Sequence, residues 1–134
     1  MKKLLYLLFA FTLFISCGSD NDVDIDPIIG TWQLTSETEN EIEISTECSR
    51  KSTFIFLENG TVSLVSYEDN DNATCDMYTN SANWENAGDS NYKIGNVSET
   101  TKLIFSENNT VFSVSNKEEF NGTIETTTES YKKI

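Results

Sequence analysis

The chain has 134 residues, 22 acids against 9 bases, a formal charge of −13 and no histidine. So acidic a chain has no electrostatic pull toward nucleic acid or anionic lipid. Without histidine it lacks an imidazole base, an imidazole metal ligand and a serine–histidine couple, and no glycine-rich phosphate loop is present.

In chain order, Met1-Lys2-Lys3 leads into an apolar run from Leu4 to Ile15, then Ser16-Cys17. A basic start, a short apolar core and a small residue at its end predict a secretory signal peptide, residues 1–16. The run is too short for a spanning helix, which takes about 20 apolar residues. Phe14-Ile15-Ser16-Cys17 resembles the bacterial lipoprotein box, with Phe14 where that family usually has leucine. The resemblance implies that Cys17 is lipidated on sulfur, becomes the mature N-terminus and is acylated on nitrogen. The alternative is an ordinary secreted protein with a stray cysteine. Each buried CH₂ contributes about 0.8 kcal/mol, so several acyl chains anchor a protein stably where one does not. Losing residues 1–16 removes two lysines and no acid, taking the formal charge from −13 to −15.

Residues 17–27 read as the lipidated cysteine and an acidic linker, too polar to pack. Ser19-Asp20-Asn21-Asp22 resembles an acidic export signal of some Gram-negative lipoproteins. The localisation implied is the bacterial outer membrane, lipid-anchored, with surface exposure resting on those four residues alone. Asp22, Asp24 and Asp26 alternate as at the start of a calcium loop, but no glycine makes the turn and no glutamate closes it. No metal or cofactor is expected. With Cys17 lipidated, Cys48 and Cys75 remain as an even pair in an oxidising compartment, which reads as one disulfide; the alternative is two buried thiols.

Residues 28–134 form the domain. Its first strand is predicted over Ile29–Thr38, and Glu39–Glu47 is a ragged strand or a loop. The hairpin Thr53–Tyr67 follows around Asn59-Gly60. A two-residue turn there leaves both faces half apolar. A three-residue turn, with Gly60 left-handed, pairs Leu57 with Thr61 and puts Phe54, Phe56, Val62 and Leu64 on one face, the arrangement a half-buried antiparallel pair needs. Glu68–Thr74 is turn-rich, Cys75–Tyr78 resumes a strand, and Asn80–Asn91 reads as a polar loop around Trp84. Tyr92–Ile94 is a short strand ended by Gly95-Asn96. Leu103–Val111 repeats Phe54–Val62, with Asn109 in the place of Gly60, and predicts a second hairpin. Asn121-Gly122 links Glu118-Glu119-Phe120 to a threonine-rich strand, Thr123–Ile134. Short strands and tight turns predict an all-β fold: an antiparallel up-and-down meander of about eight strands closing into a small barrel.

Gly30-Thr31-Trp32 resembles the Gly-x-Trp signature of lipocalins. The order of a lipoprotein signal, an acidic linker, Ile-Gly-Thr-Trp, and two cysteines around a Phe-x-Phe-x-x-x-Gly-Thr hairpin resembles the lipocalin-like domains of bacterial lipoproteins. The resemblance implies that Gly30 and Trp32 belong to a closed barrel floor. There the tryptophan often meets an arginine of the last strand. The single arginine here, Arg50, is elsewhere, so Lys132 or Lys133 is the expected substitute, its stem against the indole.

Phe54, Phe56, Val62 and Leu64 are the expected lining of a greasy ligand site below a polar, acidic mouth. Two functions follow. One is a membrane-anchored binding protein for a small apolar or amphipathic ligand, neutral or cationic because an acidic domain repels anions. The other is a cell-surface interaction protein with a filled barrel. No enzyme is expected, because the cysteines are committed and Asp69, Asp71 and Glu118-Glu119 lie in polar, turn-rich stretches. The partners expected are the membrane, through the lipid on Cys17, and the small ligand, with the domain a monomer and no nucleic acid bound.

Overall fold

The computed structural model describes residues 25–134, so the signal peptide, Cys17 and the linker as far as Asp24 lie outside the described residues. Ten strands follow: β1 (Gly30–Glu39), β2 (Ile42–Glu43), β3 (Thr53–Phe56), β4 (Thr61–Asp69), β5 (Cys75–Gly88), β6 (Asn91–Ile94), β7 (Thr101–Lys102), β8 (Ile104–Ser106), β9 (Val111–Phe120) and β10 (Thr123–Lys133). One turn of 3₁₀ helix, Ser49–Lys51, precedes β3. Every pairing is antiparallel, in the order β7-β6-β5-β4-β3-β1-β10-β9-β8, with β2 paired to β1. The expected meander is present, as is an all-β antiparallel sheet.

The count exceeds the expected eight because β2 is a two-residue appendage and because one stretch, Thr101–Ser106, is divided at Leu103. Its first half pairs with β6 and its second with β9. The two ends of the hydrogen-bonded path are thus neighbours in sequence, and backbone bonds do not close the sheet between them.

The first hairpin has the expected register. Phe56 faces Val62 and Phe54 faces Leu64, Leu57 N–H donates to Thr61 O at 2.9 Å, and Gly60 is left-handed at φ 80°. The second hairpin differs from its sequence twin. Phe105 faces Phe112 and Ser106 faces Val111, a four-residue connection in which Glu107, Asn108 and Asn109 are all left-handed. The register moves by one residue and sets two phenylalanines opposite each other. Asn121-Gly122 makes a two-residue turn between Phe120 and Thr123, both central residues at positive φ, as a twisted hairpin favours.

The expected loop at Asn80–Asn91 is strand as far as Gly88. Cys75–Asn83 bonds to β4 and Trp84–Gly88 to β6. Most of the stretch is exposed and few of its residues are apolar, so no alternation marks it. Trp84 N–H donates to Gly60 O at 2.7 Å and its indole to Leu57 O at 2.9 Å, which locks β5 onto the first hairpin's turn.

The linker also ends earlier than expected. Asp26 accepts from the Tyr92 hydroxyl at 2.9 Å and from Ile28 N–H at 3.0 Å, so the domain begins at Asp26. Cys48 and Cys75 form a disulfide. It ties the segment before β3 to the start of β5. That segment also accepts from both β1 and β4: Leu34 N–H donates to Ser52 O at 3.0 Å and Tyr67 N–H to Ser52 Oγ at 2.9 Å. A bridge closing 27 residues stabilises by roughly 3–4 kcal/mol in the chain-entropy view.

The core is aromatic. Trp32, Phe105, Tyr92, Trp84, Phe56, Phe54, Tyr131 and Phe112 form a closed circuit, each ring centroid 4.7–6.3 Å from the next. Tyr92 of β6 meets Phe105 of β8 at 6.3 Å, so ring packing spans the interval that backbone bonds leave open. Such pairs contribute about 0.5–1.5 kcal/mol each beyond the area they bury.

One end of the sheet is sealed by Trp32, which is fully buried. Its indole donates to Ile28 O at 2.6 Å, and Lys133 Nζ sits 5.1 Å from its ring centroid while donating to Pro27 O at 3.1 Å. Gly30 has φ 136°, and a Cβ there would stand 2.6 Å from Lys133 Cε. Gly30→Ala should therefore cost about 1–3 kcal/mol. Lys133→Ala in the same chain should recover only the clash, leaving the backbone strain; paired thermal melts read both. A Gly30→Ala variant as stable as wild type would remove this account of the Gly-x-Trp pattern.

Candidate functional site

Above the aromatic circuit, away from Trp32, the interior opens. A cavity of about 100 Å³ is lined by Phe54, Val62, Leu64, Asn80, Ser81, Ala82 and Ile94. Beside it, sharing Phe54 and Ile94, lies one of about 210 Å³, lined also by Phe56, Thr101, Leu103, Phe112, Val114, Asn116 and Glu129. Both lie over the end of β6. There β6, β7 and β8 are short, so the upper parts of β5 and β9 have no strand between them.

The four residues expected to line a site all reach these cavities. Phe56 and Val62 are buried at the bottom, while Phe54 and Leu64 are half-buried. Gly30 and Trp32 lie in the sealed end. Cys17 lies outside the described residues. The sequence reading missed Ile94, Leu103, Phe112, Val114 and the polar wall of Asn80, Asn116 and Glu129. Phe112 was legible in the repeated hairpin once its register is known. Glu129 was legible by period-two alternation from Tyr131, which the circuit places inside.

A bulge decides which residue stands opposite Glu129. Along β1, Leu34 faces Tyr131 but Ser36 faces Ser130, so Thr35 is the extra residue; its hydroxyl donates to Ser130 O at 3.0 Å. The bulge reverses the alternation. Trp32 and Leu34 point inward, and beyond Thr35 the inward residue is Glu37, directly opposite Glu129. Tyr131 donates its hydroxyl to Glu129 Oε2 at 2.7 Å. Burial pushes the Glu37 carboxyl above the ordinary glutamate range, and the like charges of Glu129 and Glu43 add to it. Burial, then the nearby glutamates, likewise raises the Tyr131 hydroxyl, which stays a donor. Glu43, on the outer side, behaves oppositely. Hydrogen bonds from Ser36 and Ser45 hold it at about 2, and Arg50 pairs with it at 3.6 Å. Among the described residues no His, Cys, Asp or Glu cluster is disposed to hold a metal ion. The arrangement can hold a small molecule by apolar contact below and by hydrogen bonding or charge above.

A family profile described as a lipocalin-like domain matches residues 28–131. No curated protein matches the chain.

The paired carboxylates have a consequence for stability. Glu37 folds more readily when neutral, so its contribution is full below the ordinary glutamate value of 4.5 and is lost as pH rises through its raised one. Glu37→Gln should melt with wild type at pH 4 and above it at pH 7. The gap should be about 0.5 kcal/mol, as for like charges directly opposite, or about 2–4 °C. Melting curves at the two pH values check this, and a gap that is equal at both would contradict it.

Proposed function

The chain belongs to the lipocalin-like family, and from that premise we propose that it is a membrane-anchored binding protein for a small apolar or amphipathic ligand. The observation that carries this reading is the pair of adjoining cavities, about 100 and 210 Å³, with an aromatic floor and a polar wall on one side only. Sites for drug-sized ligands run to roughly 300–1,000 Å³, so the occupant is small. The sheet acts here as a barrel of eight staves, with Thr101–Ser106 as a single stave that passes from β6 to β9 at Leu103. Support for closure comes from the aromatic circuit rather than from backbone bonds.

Anchoring is read from Cys17. A lipid there would place the protein at the bacterial outer membrane, facing outward if Ser19–Asp22 acts as an export signal. The entry of the chain supports an orientation. Asp26 and Pro27 are bonded at the Trp32 end, through Tyr92 and Lys133. From Cys17 to Asp26 the chain reaches about 30 Å at full extension. The sealed end then faces the membrane and the cavities face away from it. We read the protein as a monomeric carrier or sensor rather than an enzyme.

Native mass spectrometry of protein purified from its own cells should show a small molecule that leaves on denaturation. Short-chain alcohols should change the tryptophan fluorescence, since Trp32 packs on Phe112 at 4.7 Å and Trp84 on Phe56 at 5.9 Å. A Phe56→Trp reporter that stays dry and unresponsive would favour the filled-barrel interaction protein. That reading has one observation of its own: Met77 and Tyr78 on β5 are more than half exposed. Metabolic labelling with a palmitate analogue should mark wild type and not Cys17→Ser; equal labelling would remove the anchor.

A further inference from the structure

Building on the binding reading, we propose that the ligand is a cationic amphiphile, with an ammonium head at Glu129 and Glu37 and an apolar tail on the aromatic floor. Glu129 lines the larger cavity together with Phe54, Phe112 and Val114. Its Oε2 takes the Tyr131 hydroxyl. Among the described residues, no protein hydrogen bond engages its other oxygen or the Glu37 carboxylate, and the ion pairs formed are Arg50–Glu43 and Lys93–Glu85. Two carboxylates directly opposite on one face repel each other. The fold nevertheless brings Glu37 inward, by the bulge at Thr35, against Glu129.

An ammonium between them relieves that repulsion and supplies donors to oxygens that lack them. Phe54 and Phe112 pack on Tyr131 at 5.2 and 5.0 Å and line the same cavity as Glu129, so aromatic rings for the tail adjoin the carboxylate that takes the head. A neutral ligand would leave the two carboxylates facing each other. An anionic one would add a third negative charge.

The test compares three probes of equal tail length, n-octylammonium, n-octanol and n-octanoate, by calorimetric titration at low salt. Octylammonium should bind at least tenfold more tightly than octanol, and octanoate more weakly than either. Glu129→Gln should bring octylammonium down to the affinity of octanol while leaving octanol unchanged. Glu37→Gln should lower the preference in part. Glu58→Gln, an exposed acid at the Asn59-Gly60 turn, should leave it intact and so separates the local carboxylates from the charge of the whole domain. Both site variants remove a repulsion, so they should fold, and a thermal melt confirms it. Octanol binding as tightly as octylammonium, or a preference that survives Glu129→Gln, overturns the proposal and leaves the binding reading standing. No heat and no thermal shift with any of the three overturns both.

Discussion

The closed circuit of eight aromatic rings is the constraint on which the rest of the domain depends. Its members come from β1, β3, β5, β6, β8, β9 and β10, so one layer of contacts ties nearly every strand to its neighbours. The layer does for the Thr101–Ser106 stretch what hydrogen bonds do elsewhere. That stretch bonds to β6 with one half and to β9 with the other, and Tyr92 against Phe105 holds the two sides together. An acidic chain with short strands on one side can keep a single fold because this burial is concentrated in one place.

The circuit also divides the interior. Below it Trp32 is buried, its polar atom bonded to Ile28 O and its face covered by Lys133. Lys133 does the work often given to an arginine at this position in lipocalins, and it needs Gly30, since any side chain there would strike its stem. Above the circuit the same strands carry smaller or polar residues, and space remains. Sealed and open ends are thus two consequences of one packing layer. The rings that form the cavity floor, Phe54, Phe56 and Phe112, are among the rings that hold the sheet.

β1 shows how little is needed to convert packing into recognition. Its first half contributes Trp32 and Leu34 to the core. One extra residue, Thr35, then reverses which side chains face in, and the second half contributes a carboxylate. The penalty is a like-charged pair within the fold: burial first, and then the charges of Glu129 and Glu43, raise the Glu37 carboxyl. Glu37 is half-buried and stands opposite a second glutamate, Glu129, which lines the cavity. This pair has a defined position and a defined neighbour.

Much of this was legible in the sequence, for local reasons. Phe54–Leu64 could adopt only one register that keeps a clean apolar face, and Gly60 supplied the left-handed turn it needs. Asn121-Gly122 and the even cysteine pair are likewise short-range chemistry. The family pattern pointed to Gly30 and Trp32 together and to Lys132 or Lys133 as the cation beside the indole, and the structure puts Lys133 there. Three things were decided only by the tertiary structure. Asn80–Gly88 is strand because β4 and β6 offer it ladder partners, although its composition carries no alternation. The second hairpin departs from the first because Phe105 and Phe112 are both drawn into the circuit, which outweighs the local turn preference. The bulge at Thr35 is invisible in the residues around it, since it shows only in how β1 pairs with β10. The bulge sets Glu37 opposite Glu129, residues 92 positions apart in sequence, so this carboxylate pair exists only once the two strands have paired.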